Sequence, residues 1–215
     1  MEKPVTDLDH VIIDPRRPLI MVDVDEVLAK FMLGFEKFIS RYGYEMRITR
    51  FALFQNIFPV GGEAPVEMEP GLKLFNGFFA DGAGDLEPAD GAAEALSDLS
   101  TQADIVILTN APGHGRDARS GWLKKHGFDY PLVVNSGLKG PAAAEMAART
   151  AGASVFIDDL LPNLESVAES APAVRRFQMV ADERLRPLAP CAPDRHPRYD
   201  EWPMLKAAIE KVFPR

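Results

Sequence analysis

Apolar residues recur along this chain in short unbroken runs, and the runs are separated by segments with helical spacing. The runs at about Leu19 to Asp23, Ile105 to Leu108, Leu132 to Val134, Val155 to Ile157 and Val174 to Gln178 are too short for helices. Too continuous for half-buried strands, they read as strands covered on both faces. Helical patterns fall between them, at about Ala89 to Leu99, Gly115 to His126, Pro141 to Thr150 and Leu161 to Ser170. Pro162 suits a first helical turn. A further helix is expected from about Val27 to Tyr42, where Leu28, Phe31, Met32, Phe35, Phe38 and Ile39 keep helical spacing and Gly43 is a plausible stop. Strands alternating with helices predict an α/β fold: a mostly parallel sheet, right-handed crossovers and helices on both faces, hence a three-layer sandwich.

Three stretches break the alternation. Residues 1–17 are polar, carry Pro4 and Pro15, and read as an extended lead-in. From Tyr44 to about Leu86 aromatic residues, a Gly61-Gly62 break and three prolines give no clear strand alternation, so two or three short helices with loops are expected. From Ala181 the chain is rich in proline and charge up to Trp202. A short amphipathic helix, roughly Pro203 to Val212, then offers Leu205, Ala208, Ile209 and Val212 for docking on the core.

The chemistry sits where the apolar runs stop. Asp23 and Asp25 end the first run, and in open parallel sheets ligands bind just outside the carboxyl ends of the strands. Two carboxylates there repel each other and attract a hard cation, although Asp-x-Asp alone is equally compatible with a solvated turn. Thr109 and Asn110 end the second run with a hydroxyl and an amide, and Asp158 and Asp159 end the fourth with paired acids. Lys139 precedes an Ala-rich helical stretch, a position slightly unfavourable for a cation because of the helix dipole. Acid, hydroxyl, lysine and acid pair form the inventory for holding a phosphoryl group beside a divalent metal.

On these residues the chain resembles the haloacid dehalogenase (HAD) superfamily of phosphohydrolases. Asp23-Val-Asp25-Glu-Val27 matches the first motif, Thr109 the second, Lys139 the third and Asp158-Asp159 the fourth. Glu26 departs from the pattern, since many relatives carry glycine there, and its added negative charge is expected to alter substrate approach. The resemblance implies a Rossmann-like core over 18–28 and 87–180, a small helical cap over 29–86, and a C-terminal tail with a docking helix over 181–215. It implies Mg²⁺-dependent hydrolysis of a phosphomonoester. Asp23 would be the nucleophile and Asp25 the general acid and base, with its backbone carbonyl a metal ligand. Thr109, Asn110 and Lys139 would bind the phosphoryl group. Asp23 and Asp158 would be the direct side-chain metal ligands, with Asp159 beside them or acting through water. Asn163 either orients the acid loop or caps a helix. His114 and Arg116 either touch substrate or are solvated; Phe31, Phe35 and Phe54 either stack on a substrate ring or belong to the core. The string from Asp23 to Phe31 and the Lys139-Gly140 pair are similar to small deoxynucleotidases, so a nucleotidase is the finer expectation. Phosphotransferase, dehalogenase and non-catalytic binding protein remain open as alternatives.

Composition narrows the partners. A formal net charge of −8 over 215 residues disfavours binding to a nucleic-acid polymer, which needs clustered basic charge. A small phosphorylated metabolite needs only local positive charge. Hydrophobic residues make up 47%, enough for a full core. Cys191 is the single cysteine and reads as an incidental surface thiol. The acidic start has no signal-peptide character, and no apolar run approaches the roughly 20 residues of a spanning helix. A cytoplasmic protein without membrane contact, monomeric or homodimeric, is therefore expected.

Overall fold

A computed structural model describes residues 8–213; positions 1–7 of the lead-in and 214–215 of the tail lie outside the described residues. Five strands form one parallel sheet: β1 (Leu19–Val22), β4 (Asp104–Asn110), β5 (Leu132–Asn135), β6 (Ser154–Asp158) and β7 (Arg175–Gln178). Their order is β5-β4-β1-β6-β7, with β1 central and paired to β4 and β6. The register places Val22 beside both Ile107 and Ile157, so the three strands end at the same edge.

Side chains alternate across the sheet, and each face buries its own set. Leu19, Met21, Val106, Leu108 and Phe156 pack under helices α5 (Gly140–Ala147) and α6 (Leu161–Ser170). Ile20, Val22, Ile105, Ile107, Val155 and Ile157 face the other way. There they meet α3 (Ala92–Ser100), α4 (Arg116–Lys125) and the C-terminal helix α7 (Trp202–Glu210). Trp202, Leu205, Ala208 and Ile209 are the buried side of α7, and the Trp202 indole N–H donates to the Val27 carbonyl at 3.1 Å. The expected three-layer α/β sandwich is the one found. No helix among the described residues is long and apolar enough to cross a membrane.

Two local readings differ. The first helix, α1 (Phe31–Ser40), starts later than Val27. The Val24 carbonyl accepts from the N–H groups of Val27, Leu28 and Ala29 at 2.9–3.2 Å, which coils the chain into a tight loop before the helix. Val24, Val27 and Leu28 are all buried, so the loop shows the same apolar spacing as a helical turn. The stretch expected to hold short helices and loops also holds an antiparallel hairpin, β2 (Tyr44–Met46) with β3 (Ile57–Pro59). At three residues each, these strands are too short to display alternation. A long helix, α2 (Met68–Asp81), follows. Phe78 of α2 presents edges or faces to Phe31, Phe35 and Phe38 of α1 at 5.3–5.5 Å between centroids, geometry that favours aromatic pairs.

Glu26 is buried at φ 56°, the only non-glycine residue with positive φ among those described. Its carboxylate turns inward, accepting from the Met32 N–H at 2.7 Å and the Asp182 N–H at 2.9 Å, while its carbonyl accepts from the Ala181 N–H at 2.8 Å. Glu26, whose charge is expected to alter substrate approach, thus clasps the loop after β1 to the C-terminal segment. Glu26→Ala should cost about 2–4 kcal/mol, because two buried N–H groups lose their acceptor. Glu26→Gly should cost about 1 kcal/mol less, because glycine accepts positive φ freely. Urea unfolding of the two variants tests that ordering.

Candidate active site

The carboxyl edge of the sheet gathers the residues singled out in the sequence. Asp23 follows β1 and its N–H donates to the Ile157 carbonyl at 3.0 Å, which keeps it in register with the end of β6. Thr109 and Asn110 end β4, and Asp158 ends β6. Lys139 arrives from the turn before α5. Gly140 makes this approach feasible: a Cβ there would lie 2.3 Å from the Ser166 carbonyl oxygen and 2.4 Å from its hydroxyl, so only glycine lets α5 sit this close to α6.

Lys139 is fully buried, with Nζ 2.7 Å from Asp23 Oδ2 and 2.7 Å from Asp158 Oδ2. Burial alone would lower its pKa; the two carboxylates more than offset that and raise it. Asp158 is held further by the Leu160 N–H at 2.9 Å and the Asn163 amide at 3.0 Å, both donating to Oδ1. Asn163 therefore orients the acid loop. Asp159 lies beside the same centre, and burial together with Asp158, Asp23 and Glu26 pushes its pKa well up. Among the described residues, Asp23, Asp158 and Asp159 are the group whose oxygens, all within 4.8 Å of one another, could share one ion. Three carboxylates against one lysine leave a deficit of two positive charges, which a divalent cation would fill. Oxygen donors alone fit a hard ion such as Mg²⁺.

Thr109 is fully buried, and its hydroxyl has no hydrogen-bond partner. Such a group costs free energy unless something binds it. Asn110 joins the segments at the ends of β4 and β5, donating to the Gly137 carbonyl at 2.9 Å and accepting from the Asn135 amide at 2.9 Å. Asp25 does not join the acid cluster through its side chain. It pairs with Arg119 of α4, whose Nη2 stands 2.8 and 2.9 Å from the two carboxylate oxygens. Burial raises the Asp25 pKa, Arg119 opposes this, and the charge of Asp23 adds to the rise. Arg119 is itself buried, with its guanidinium carbon 5.2 Å from the Phe79 ring centre. Sequence reasoning passed over it. The available signal was an arginine three and four residues ahead of the buried Trp122 and Leu123, on the apolar face of its helix.

A cavity of about 220 Å³ opens beside these groups. Its floor is polar, with Asp23, Lys139, Asn110 and Asp159. Of the three aromatic candidates Phe31 lines it, whereas Phe35 is enclosed in the core and Phe54 packs against Phe75. His114 and Arg116 are turned to the carbonyls of Asn76 and Leu132, at 3.2 and 3.3 Å, and do not line the cavity.

The acids set a pH dependence. Burial raises Asp158, Asp159 and Asp25, and Glu26 is pushed up to about 7. An acid whose folded pKa lies above its unfolded one stabilises the fold fully below the unfolded value and loses that stability as pH rises toward the folded value. The metal-free protein should therefore unfold more readily as pH climbs from about 4 to about 7, and Mg²⁺ should flatten the trend. Thermal melts in EDTA across that window are the check; rising stability would contradict the charge deficit.

No protein-family model and no curated protein matches the chain. Solved structures do. A conserved haloacid dehalogenase-like protein of unknown function from Agrobacterium tumefaciens aligns over 90% of this chain and 97% of its own, at 19% identity and TM-score 0.59. The haloacid dehalogenase-like hydrolase SP0104 from Streptococcus pneumoniae covers 91% and 99%, at 12% identity and TM-score 0.60. The candidate HAD-hydrolase YfnB from Bacillus subtilis, solved bound to magnesium, covers 90% and 99%, at 14% identity and TM-score 0.56. The chain has the haloacid dehalogenase-like fold.

Proposed function

We propose that this protein is a Mg²⁺-dependent phosphomonoesterase for a small phosphorylated metabolite, working through an aspartyl-phosphate on Asp23. The observation that carries the reading is the meeting of Asp23, Asp158 and Lys139 within 2.7 Å contacts, beside the unpartnered hydroxyl of Thr109. The structural neighbours named as hydrolases agree with it.

A carboxylate oxygen of Asp23 attacks phosphorus, and the bond from phosphorus to the leaving oxygen breaks. Asp25 gives its proton to that oxygen; its raised pKa suits the role. Water then attacks the aspartyl-phosphate and yields its proton to Asp25, releasing inorganic phosphate and restoring Asp23. Arg119 holds the Asp25 carboxylate in place during both halves. Thr109 donates to a phosphoryl oxygen, and Lys139 supplies fixed positive charge. When bound, Mg²⁺ would neutralise charge on the phosphoryl oxygens. Asp23, the Asp25 carbonyl and Asp159 would hold it. Asp159 replaces Asp158 as the favoured direct ligand from the acid pair because three hydrogen bonds already engage Asp158.

Buried Asp158 and Asp159 favour phosphoryl chemistry over dehalogenation, which needs no metal acids. The nucleotidase reading keeps the support of Phe31 at the cavity wall. Hydrolysis of p-nitrophenyl phosphate should appear with Mg²⁺ and fall by at least about a hundredfold in EDTA. Metal-independent turnover, or none on any phosphoester, would overturn the reading.

A further inference from the structure

The sequence predicts a C-terminal tail whose short helix docks on the core. Its residues 180–189 do more, because they reach the cavity. Leu185 lines it together with Phe31 and Met32 of α1, Phe51 and Leu53 of the loop between β2 and β3, and Leu160 ahead of α6. Leu185 belongs to a separate apolar cluster with Met32, Val180 and Ala189, against which Phe51 and Leu53 pack. It is also anchored close to the nucleophile: Glu26 binds the N–H groups of Ala181 and Asp182, the Leu185 N–H donates to the Asp182 carbonyl at 3.0 Å, and Arg184 reaches Glu36 of α1 at 2.7 Å.

The wall that Leu185 completes has a definite chemistry. Among the described lining residues the only cation is Lys139, and it is already paired with Asp23 and Asp158. No lining side chain other than Lys139 offers positive charge to pair with a second phosphate or a carboxylate. The apolar side chains reward a leaving group that removes its own apolar surface from water. A volume of about 220 Å³ admits one ring or a short chain beside the phosphoryl group.

We propose that the 180–189 segment is part of the active site, with Leu185 a specificity-determining residue. The site selects phosphomonoesters whose leaving group is uncharged and presents an apolar face, and it rejects those carrying a second anionic group. This inference rests on the phosphomonoesterase reading for its substrate class, but binding can test it without turnover.

The experiment is calorimetry on Asp23→Asn with Mg²⁺, using phenyl phosphate, 3-phosphoglycerate and inorganic phosphate. Phenyl phosphate should bind at least about tenfold more tightly than 3-phosphoglycerate. Adding Leu185→Ala should weaken phenyl phosphate about tenfold and leave inorganic phosphate within about twofold, whereas Leu185→Met should restore the ester. A merely structural role would weaken both ligands together, and that result would overturn the proposal. So would equal or tighter binding of 3-phosphoglycerate, or no saturable binding of phenyl phosphate. The ligand comparison in Asp23→Asn stands even if Leu185→Ala fails to fold. Wild-type turnover is read separately: phenyl phosphate that binds but is not hydrolysed defeats the phosphatase reading and leaves the cavity assignment standing.

Discussion

Asp23→Asn should lower hydrolysis of p-nitrophenyl phosphate by at least about 10⁴-fold, because an amide cannot form the acyl-phosphate and loss of a nucleophile removes the whole covalent route. The fold should persist. Asp23 gives up one contact to Lys139, but Asp158 remains 2.7 Å from that nitrogen, so the buried cation keeps a partner. The substitution also removes one of three crowded carboxylates, which relieves repulsion in the metal-free protein. The decisive measurement pairs steady-state turnover in Mg²⁺ with a thermal melt in EDTA. Retention of more than about 1% of wild-type activity by a well-folded variant would move the nucleophile elsewhere.

Lys139→Ala should be the most destabilising single change at the site, by about 3–5 kcal/mol in EDTA. Removing the ammonium leaves Asp23 and Asp158 buried beside Asp159 with no counter-charge. The damage should grow with pH, since the acids escape it by protonation: the variant should approach wild-type stability near about pH 4 and fall behind it by about pH 8. Mg²⁺ should recover part of the stability but not the activity, because the lysine also contacts Asp23, the proposed nucleophile. Urea midpoints with and without the metal at the two pH values measure this. A loss that is the same at both would show that Lys139 acts through packing rather than charge.

Both substitutions concern residues that were legible in the sequence, for a physical reason. Asp23, Thr109 and Asp158 each stop an apolar run, and parallel strands joined by right-handed crossovers bring such stops to one edge. Lys139 ends no strand; it stood out through the motif inventory, and its placement depends on the packing of Gly140 against Ser166. What the sequence hid was hidden by degenerate signals. Val27 and Leu28 keep helical spacing while lying in a loop, because burial of a loop and of a helical turn can leave the same trace. The Tyr44–Met46 and Ile57–Pro59 strands are shorter than any period that would reveal them. Arg119 looks like its neighbour Arg116 until α4 is rotated against Phe79 and Asp25. Leu185 sits in a proline-rich stretch where local pattern says nothing about a site more than 150 residues earlier in the chain, the span across which Asp182 meets Glu26.

The bonds from Ala181, Asp182 and Trp202 to the loop around Glu26 and Val27 have a consequence for how the molecule is made. A nascent polypeptide leaves the ribosome from its N-terminal end. The loop that carries Asp23 is translated well before the partners that brace it, the Trp202 contact spanning 175 positions. The proposed activity should therefore arise only once Trp202 has emerged. Ribosome-stalled chains cut before Trp202 should remain inert even when their sheet has formed.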